Sequence, residues 1–481
     1  DPLQCKLLTI QLSWEEGSGY AFKWSNLLPE EWEEYLLKWK LIFQNGSFDT
    51  KVLAVHGVDV RITEDTMLMH SLVDETSGTH SLEAMSRNYL NLDKWEEMVD
   101  YSNMELEEFQ TMGVYGARDT DLTLQLANHF RPLVRHRAIN GIIHDTQNVL
   151  IDAELRGIKV DQDKAEQFLR EIEEHLSTTL GILQDGYNLQ NPNSPKQVAD
   201  MLLANGVFLP KNDRGNYVTD EATLTRYDTF PAVNTILEYR HLVKAKSTYL
   251  ERILNESAMD GRYHPEFKLA ATETGRLVEP LLLVLPRPDD LDMPDLGKQY
   301  QVKLRELFVP DEGMLMFGAD YSALEISTLA YLSNDAQLID DLVKGLDIHS
   351  VVAIQAFGLD IPLEPFNTLK HRVQKHHALE RTMAKGAVFS SSYGGGTGAV
   401  MRATGATKEV ANQILHALAT RYPQVEEWKR NIILEAKEVG SVTNVFGRTR
   451  RFVWHRALGQ KEIAAQEREA INFPNQSTAT D

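Results

Sequence analysis

The sequence contains almost no cysteine and no long apolar stretch. Cys5 is the only cysteine among the 481 residues, so no disulfide can form within the chain, and a reducing compartment is the natural interpretation. No run of apolar residues approaches the ~18 that a transmembrane helix requires. The N-terminus carries neither Met nor a signal or transit peptide. We therefore predict a cytoplasmic protein without membrane association.

Positive charge is also scarce. Lys and Arg number 49 against 70 Asp and Glu, which gives a formal net charge of -21. This balance excludes a histone-like protein held on nucleic acid by bulk positive charge, although a local basic groove can operate on an acidic body. With 42% hydrophobic and 25% charged residues, the composition is that of a globular protein. At ~150 residues per domain, the length corresponds to roughly three domains.

Three zones follow one another along the chain. In the first zone, strand-like runs at Lys6 to Leu12 and Leu41 to Phe43 alternate with helix-like segments at Glu30 to Lys40 and Thr120 to Phe130. This alternation predicts an α/β domain. The middle zone is mostly helical, with Asp161 as a candidate helix N-cap. The last zone mixes short strands, loops and long helices.

The strongest chemical signal is a row of cations and aromatic residues. Arg381, Lys385, Phe389 and Tyr393 recur at every fourth position, and Gly394 follows. In a helix each step of four overshoots a full turn by ~40°, so the four side chains form one slanting row. Two cations a turn apart suit a polyphosphate, and an aromatic ring one turn further can stack on a base or sugar. An ordinary amphipathic helix explains this mixture poorly.

A second signal is a carboxylate that follows an apolar run. The run from Met314 to Phe317 predicts a buried strand, and Asp320 stands where it ends. A carboxylate at a sheet edge is well placed to hold a divalent metal, although it could also be a plain turn residue. Ser322 and Glu325 have the spacing of a capping box, so Glu325 could simply close the start of a helix.

Together these two segments resemble the family A DNA polymerases, of the bacterial DNA polymerase I type. The first is similar to the fingers helix that binds the incoming nucleotide, and the second to the palm strand that carries a catalytic aspartate. Supporting segments stand in the family's order over almost the whole chain: Asn191 to Gln197, Tyr239 to Lys244, Thr274 to Leu277, Leu304 to Pro310, Gly345 to Ser350, Phe446 to Arg451 and Ala470 to Gln476.

The resemblance implies a role for each residue of the polymerase site. Asp320 would bind two catalytic Mg²⁺ ions, with the backbone carbonyl of Tyr321 beside it. Arg381 and Lys385 would bind the triphosphate, and His349 would make a weaker phosphate contact. Phe389 would pack against the sugar and base, and Tyr393 would lie near the templating position. Glu325 would exclude a 2′-hydroxyl. The implied primer-template contacts are Arg276, Arg305, Gly394 and Gln476. Asp320 and Lys385 are the implied catalytic residues.

A second site is implied near the N-terminus. The segments Asn45 to Asp49 and Tyr115 to Asp119 resemble the family's 3′→5′ proofreading domain, of ribonuclease-H-like fold, and Asp65 between them strengthens the match. Each segment alone is a weak signal, because an Asp after a Phe usually just ends a strand. The resemblance implies that Asp49 and Asp119 bind two metal ions and that Tyr115 is catalytic, orienting the attacking water.

The chain departs from the family pattern in three places. No Asp-x-Glu pair precedes Asn45, although the proofreading site needs one. No His-Asp-Glu segment follows the helix of Gln476, so the second palm carboxylate is missing. The segment Val278 to Val284 replaces Ser- and Asn-rich residues that contact the primer-template in the family. We therefore predict that this chain binds primer-template while lacking part of both metal sites, and so is close to inert in both activities.

The implied fold is α/β plus α+β, a ribonuclease-H-like exonuclease domain followed by a right-hand polymerase. The expected domains are the exonuclease (1–135), a mostly helical thumb (136–260), the first part of the palm (261–335), the fingers (336–440) and the second part of the palm (441–481). Candidates for a basic groove, of which the first three could instead be a solvated helix face, are Arg421, Lys429, Arg430, Arg448, Arg450 and Arg451.

The implied function is template-directed DNA synthesis with proofreading, in replication or repair. Its partners would be primer-template DNA and dNTPs, and we expect a monomer in the cytoplasm of a bacterium or of a phage-infected cell. Two alternatives remain open. One is a single-subunit RNA polymerase, which has a similar fingers helix, although Glu325 and the exonuclease-like front end speak against it. The other is a non-catalytic primer-template binding protein whose sites have decayed.

Overall fold

The structure, a computed structural model, describes residues 2–76, 78–92, 109–134, 136–286, 296–455 and 457–481. The chain divides into two compact units. The first consists of residues 1–151, 268–277 and 320–481, and the second of residues 152–267 and 278–319. Both are mainly helical, and within the described ranges the strands form four two-stranded sheets. No helix in these ranges has the length and apolarity needed to cross a bilayer.

In the N-terminal part of the first unit, the described residues form two small sheets and five α-helices. Its elements are β1 (Thr9–Leu12), β2 (Tyr20–Lys23), α1 (Pro29–Leu36), β3 (Ile42–Phe43), α2 (Ser47–Val55), β4 (Glu64–Asp65), α3 (Thr66–Val73), α4 (Leu82–Leu90) and α5 (Phe109–Phe130). Strand β1 pairs with β2 in antiparallel fashion, and β3 pairs with β4 in parallel. All four segments predicted in this zone are found with shifted bounds, so the α/β prediction is confirmed there.

Helix α5 lies against the β1–β2 hairpin where glycine leaves room for it. A Cβ atom at Gly19 would lie only 2.1 Å from the carbonyl oxygen of Ala117, so no larger residue fits. At the tip of the hairpin, the backbone N–H of Gly17 donates to the Asp121 carboxylate at 2.7 Å. These contacts fix the helix that carries the predicted proofreading residues Tyr115 and Asp119.

Helix α6 (Arg137–Arg156) runs from the first unit into the second. The second unit contains β5 (Ile158–Lys159), α7 (Gln162–Tyr187), α8 (Pro195–Ala204), α9 (Glu221–Leu224), α10 (Pro231–Lys244), α11 (Glu251–Glu256), β6 (Arg262–Tyr263) and α12 (Leu296–Lys303). The predicted cap is confirmed, because the Asp161 carboxylate accepts from the backbone N–H of Lys164 at 3.1 Å and starts α7. A core around Phe168, Leu242 and Tyr263 holds this unit together.

The C-terminal part of the first unit packs long helices around a large apolar core, with a smaller apolar cluster near its C-terminal end. Its elements are α13 (Leu324–Ser333), α14 (Ala336–Val343), α15 (Ile348–Phe357), α16 (Phe366–His376), α17 (Ala378–Ser392), α18 (Thr397–Thr404), α19 (Lys408–Arg421), α20 (Pro423–Val439), β7 (Ser441–Thr443), β8 (Thr449–Arg451) and α21 (Gln460–Thr480). Val351 of α15, Val388 of α17 and Ile414 of α19 meet in this core. The burial of one face of α17 leaves its other face to carry the predicted row.

The predicted buried strand from Met314 to Phe317 is wrong. This segment forms no strand, and the side chains of Leu315 and Phe317 are 94% and 89% exposed. An isolated strand is not stable by itself, because its backbone needs hydrogen bonds from a neighbouring strand. None of the strands in the described ranges pairs with this segment. The apolar pattern therefore identified a segment that could form a strand, but it gave no information about a neighbouring strand to pair with it.

Candidate functional site

Helix α17 carries the predicted row of cations and aromatics. Arg381, Lys385 and Phe389 lie one turn apart on it, and Tyr393 is its C-cap residue. Lys385 and Phe389 are exposed, whereas the residues between them pack into the core. The helical row predicted from the sequence is confirmed for the three side chains inside the helix. Tyr393 lies just beyond it, where Gly394 adopts a φ of +72°.

The guanidinium group of Arg381 is held by Asp347 at the start of α15. The Nε of Arg381 lies 2.8 Å from Oδ2 of Asp347, and a terminal nitrogen lies 3.1 Å from Oδ1. Asp347 also caps α15 by accepting from the backbone N–H of Ser350. Burial would raise the pKa of Asp347, but the hydrogen bonds from Arg381 and Ser350 outweigh it and hold the pKa below its ordinary value. Arg381 is thus oriented and locally neutralised.

His349 lies beside the aromatic part of the row. Its ring centroid is 5.5 Å from that of Phe389, and its Nδ1 has no hydrogen-bond partner within the described part of the chain. Burial lowers the pKa of His349 to about 4, with Arg381 and Lys385 acting in the same direction and Asp347 opposing them. At neutral pH the imidazole is therefore uncharged, with one buried ring nitrogen left without a partner in the described residues.

Glu325 binds the phenol of Tyr393 and does not cap its helix. The Tyr393 hydroxyl donates to the Glu325 carboxylate. The capping-box alternative is wrong, because α13 is preceded by Ala323 in a left-handed conformation with no side-chain cap. Burial and the Glu325 carboxylate raise the pKa of Tyr393 to about 12, while a hydrogen bond with Gln476 and the charge of Arg276 act in the opposite direction. Three other predicted site residues, Glu325, Gln476 and Arg276, thus influence the Tyr393 hydroxyl.

Gly394 allows the end of α17 to approach α21. A Cβ atom at this position would lie 3.0 Å from Cδ1 of Ile471 and 3.3 Å from Cα of Arg468. Because both the space and the left-handed φ favour glycine, a side chain here would be strained. The contact brings the C-terminal end of α17 to the helix that carries Gln476.

Asp320 and Tyr321 lie in the exposed segment before α13. The Asp320 carboxylate makes no hydrogen bond or ion pair within the described ranges, so it remains open to a ligand. In the same ranges, no group of three or more His, Cys, Asp or Glu side chains is arranged to hold a metal ion. The structure therefore shows one accessible candidate ligand at this position without a complete metal-binding set around it.

The two predicted DNA-contacting arginines differ in their surroundings. Arg276 is exposed and follows Gly275, which has a φ of +77°. Arg305 is instead bound to its own chain, because its guanidinium donates to the backbone carbonyls of Leu285 at 2.6 Å and Pro286 at 2.7 Å. Arg305 holds a loop in this structure, whereas Arg276 is accessible.

The segment that departs from the family pattern is organised by a buried carboxylate. Glu279 is 1% exposed and accepts from the Tyr263 hydroxyl at 2.6 Å and from the backbone N–H of Leu281 at 3.0 Å. Burial and Glu279 together raise the pKa of Tyr263 well above its ordinary value. Leu283 and Val284 point apolar surface to solvent. The segment is therefore rigid and apolar in place of the polar residues expected from the resemblance.

Five of the six residues predicted for a basic groove are paired with carboxylates, and the structure does not support them as an open groove. The pairs are Arg421 with Asp341, Lys429 with Glu426, Arg448 with Asp481, Arg450 with Glu469 and Arg451 with Glu75. Arg430 is exposed. Four of the acidic partners lie at least 19 residues away along the chain, which is why the sequence pattern did not reveal them.

The predicted proofreading residues lie on two helices. Asp49 is on α2, and Tyr115 and Asp119 are one turn apart on α5. The surrounding chain desolvates Asp49 and, with the Asp65 carboxylate, raises its pKa, although the side chain keeps solvent-accessible surface that limits the shift. Asp65 is fully buried and accepts from the backbone N–H groups of Asn45 and Gly46 at 3.0 and 2.8 Å. Asp65 therefore shapes the segment that presents Asp49.

Solved structures and curated proteins similar to this chain are polymerases. The POL domain of Pol1 from M. smegmatis, in complex with DNA primer-template and dNTP, superposes with a TM-score of 0.77 at 25% sequence identity, covering 96% of this chain and 78% of that one. DNA polymerase I of Chloroflexus aurantiacus is 29% identical over 466 residues, which are 91% of this chain and 46% of that protein. DNA polymerase I of Lactococcus lactis is 31% identical over 342 residues, 69% of this chain and 36% of that protein.

The chain thus spans about half the length of the curated relatives it matches, or less. The sequence model of the 3′-5′ exonuclease matches residues 20–135, and that of DNA polymerase family A matches residues 161–481. The predicted order of an exonuclease domain followed by a polymerase domain is confirmed. Since the second match covers most of the sequence, this chain belongs to DNA polymerase family A.

Proposed function

We propose that this protein carries out template-directed DNA synthesis with 3′→5′ proofreading, in DNA replication or repair. The observation that carries the proposal is the hydrogen bond from the Tyr393 hydroxyl to Glu325, with Gln476 and the charge of Arg276 acting on the same phenol. These four residues come from separate segments, and the helix that ends at Tyr393 carries Lys385 and Phe389 on its exposed side. A protein whose sites had decayed would not be expected to keep this arrangement.

Each side chain of the pocket has a proposed task. Lys385 is an exposed cation that suits a triphosphate, and Arg381, fixed by Asp347, sets the phosphate position from one turn before it. His349 contributes a hydrogen bond from an uncharged ring. Phe389 packs against the sugar and base of the nucleotide. Binding and orientation of this kind account for most of the catalysis in phosphoryl transfer.

The proposed sugar gate is Glu325. Its carboxylate is fixed by the Tyr393 hydroxyl, so it forms a wall of constant position at the end of α17. A 2′-hydroxyl placed against this wall would be crowded, whereas a deoxyribose would not. This favours DNA synthesis over the alternative of a single-subunit RNA polymerase.

The proposed cofactor is Mg²⁺, two ions in each active site. Carboxylate and backbone carbonyl oxygens are the donors that Mg²⁺ prefers, and the exposed Asp320 carboxylate with the carbonyl of Tyr321 fits that preference. In the exonuclease domain, Asp49 and Asp119 are the proposed ligands, and Tyr115 orients the attacking water. When bound, such metals activate the primer 3′-hydroxyl or the water and stabilise the leaving group.

The proposed partners are primer-template DNA and dNTPs. Arg276 and Gln476 are the proposed contacts to the primer-template, with Gly394 shaping the surface next to them. We propose that Arg305 acts on DNA indirectly, by fixing the loop at Leu285. The proposed state is a monomer in the cytoplasm of a bacterial or phage-infected cell.

A single experiment separates the proposal from both alternatives. Primer extension is measured with dNTPs and with rNTPs on a protein to which the missing Asp-x-Glu and His-Asp-Glu segments of the family have been added, and primer-template binding is measured in parallel by fluorescence anisotropy. Incorporation of dNTPs in strong preference to rNTPs is the result we expect. A preference for rNTPs would support an RNA polymerase, and tight binding with no incorporation of either would support a non-catalytic DNA-binding protein.

A further inference from the structure

Two arginines of β8 hold a carboxylate that comes from the exonuclease domain. Glu75 lies in the connection between α3 and α4, and its Oε2 is 2.5 Å from a terminal nitrogen of Arg451. Its Oε1 accepts from the backbone N–H of Arg451 at 2.5 Å and lies 3.5 Å from a terminal nitrogen of Arg450. The Glu75 side chain is 7% exposed. One carboxylate is thus surrounded by a backbone amide and two guanidinium groups.

These donors are the ones that proteins use for phosphate. A guanidinium group can donate two parallel hydrogen bonds to the oxygens of one phosphate, and a backbone amide adds a donor that does not depend on the side chain. A carboxylate and a phosphodiester each carry one negative charge and two exposed oxygens. The site occupied by Glu75, called the cradle and formed by Arg450, Arg451 and the Arg451 amide, is therefore chemically suited to a backbone phosphate of nucleic acid.

The cradle lies between two segments that frame the nucleotide pocket. A terminal nitrogen of Arg450 is 2.6 Å from Glu469 of α21, the helix that carries Gln476. It is also 3.0 Å from Glu273, which directly precedes the segment with Arg276. Arg450 is therefore joined to the helix that carries Gln476 and to the residue before the segment that carries Arg276.

The connection that carries Glu75 is closed at its base. Nδ1 of His70 and Nδ1 of His80 are 2.7 Å apart, and Nε2 of His70 is 3.0 Å from the Tyr89 hydroxyl. Both histidines are nearly fully buried. One of these two ring nitrogens donates a hydrogen bond to the other, so the pair links α3 to the residues just before α4. Glu75 therefore lies between two residues that are hydrogen-bonded to each other.

We propose that Arg450, Arg451 and the Arg451 amide form a site for a phosphodiester of the primer-template, and that Glu75 occupies this site in the free protein. Binding of DNA then displaces Glu75, so the exonuclease domain weakens DNA binding through a single carboxylate. This inference rests on the proposed function, because it requires that the chain binds primer-template.

The test is a set of binding curves for primer-template, measured by fluorescence anisotropy at several salt concentrations. Glu75→Gln keeps the side-chain size and removes the charge, and we expect it to lower Kd about fivefold and to steepen the salt dependence by roughly one released counterion. The matched control is Glu83→Gln, which removes a carboxylate paired with Arg87 on α4 of the same domain. We expect the control to leave Kd unchanged.

A double-variant cycle with Arg451→Ala separates competition from general charge effects. In the unaltered chain Arg451 exchanges one anion for another, so we expect Arg451→Ala to change Kd less than twofold. In the Glu75→Gln background the same substitution removes a free phosphate contact, and we expect it to cancel the fivefold gain. Additive effects of the two substitutions would overturn the inference.

A measurement on the unaltered chain covers the case in which Glu75→Gln disturbs folding. Saturation with primer-template should increase hydrogen–deuterium exchange in peptides that contain Asp74 to Thr76, because their anchor is released. Unchanged or slower exchange in these peptides would overturn the inference. A Glu75→Gln variant that unfolds at a lower temperature and binds DNA no more tightly would also overturn it, because Glu75 would then have a purely structural role. If neither the unaltered chain nor any variant binds primer-template, the proposed function fails as well.

Discussion

The hydrogen bond between Tyr393 and Glu325 makes a sharp prediction about sugar selection. Tyr393→Phe removes only the hydroxyl that fixes the Glu325 carboxylate, and it leaves the aromatic ring in place. If Glu325 excludes ribonucleotides by occupying one fixed position, a carboxylate that is free to rotate should exclude them less well. We therefore expect Tyr393→Phe to raise rNTP incorporation while dNTP incorporation changes little.

The magnitude follows from the strength of the lost contact. A hydrogen bond to a charged group contributes about 1.5–3 kcal/mol when buried, and Glu325 is only half-buried, which reduces this to about 1–2 kcal/mol. At ~1.4 kcal/mol for each factor of ten, the preference for dNTPs over rNTPs should fall by about 5- to 30-fold. Because the pKa of Tyr393 is raised to about 12, its hydroxyl stays protonated between neutral pH and pH 10, and the effect should not depend on pH in that range.

The assay is single-nucleotide primer extension with dNTP and rNTP in competition, in a protein to which the family's His-Asp-Glu segment has been added. The variants are Tyr393→Phe, Glu325→Ala and the double variant. Glu325→Ala should lower the preference further than Tyr393→Phe, and the double variant should equal Glu325→Ala, because the tyrosine acts only through the carboxylate. An additive double variant would refute this reasoning. So would a Glu325→Ala variant that unfolds at a lower temperature and keeps its sugar preference.

Three further substitutions test other contacts. Asp347→Asn should lower the free energy of unfolding by about 3–5 kcal/mol in urea titrations, because it leaves the charge of Arg381 buried without its partner. The pKa of Asp347 is lowered in the folded protein, so the ion pair stabilises the fold above the ordinary carboxyl range, and this stabilisation is lost as the pH falls through the lowered pKa. Lys385→Ala should weaken dNTP use at least tenfold in steady-state kinetics while primer-template binding changes less than twofold, and Lys408→Ala, at an exposed lysine, is the control. Equal losses in both assays would mean that Lys385 contacts DNA and not the nucleotide. Gly394→Ala should lower stability by about 1–3 kcal/mol in thermal unfolding, since the new Cβ is strained at positive φ and contacts α21; an unchanged melting temperature would contradict that contact.

Local patterns in the sequence predicted local structure well. The spacing of Arg381, Lys385 and Phe389 follows the helical period, and the structure has a helix there. Asp161 caps α7 because its carboxylate needs only a backbone N–H three residues away. These interactions lie within one or two turns of the chain, so their geometry is set by the spacing of the residues.

The same patterns could not predict contacts between segments that are distant in the sequence. The spacing of Ser322 and Glu325 is that of a capping box, but Tyr393 binds the carboxylate from 68 residues further along. Arg421 fits a solvated helix face, yet the structure pairs it with Asp341, 80 residues before it. In each case a long-range partner outweighs the local tendency, and no single-segment pattern contains that partner. The family resemblance supplied the site residues but not the pairs that hold them.

The pairing of Arg421, Arg448, Arg450 and Arg451 with carboxylates bears on how fast DNA can associate. Long-range attraction between a protein and a polyanion depends on unpaired positive charge, and here the charges of these four arginines are cancelled locally while the chain as a whole carries -21. Within the Debye length, ~10 Å at 0.1 M salt and ~30 Å at 0.01 M, an approaching duplex meets a net repulsive field. Added salt then screens repulsion during approach and attraction after contact. The association rate should therefore stay level or rise with salt, and the loss of affinity at high salt should appear almost entirely as faster dissociation.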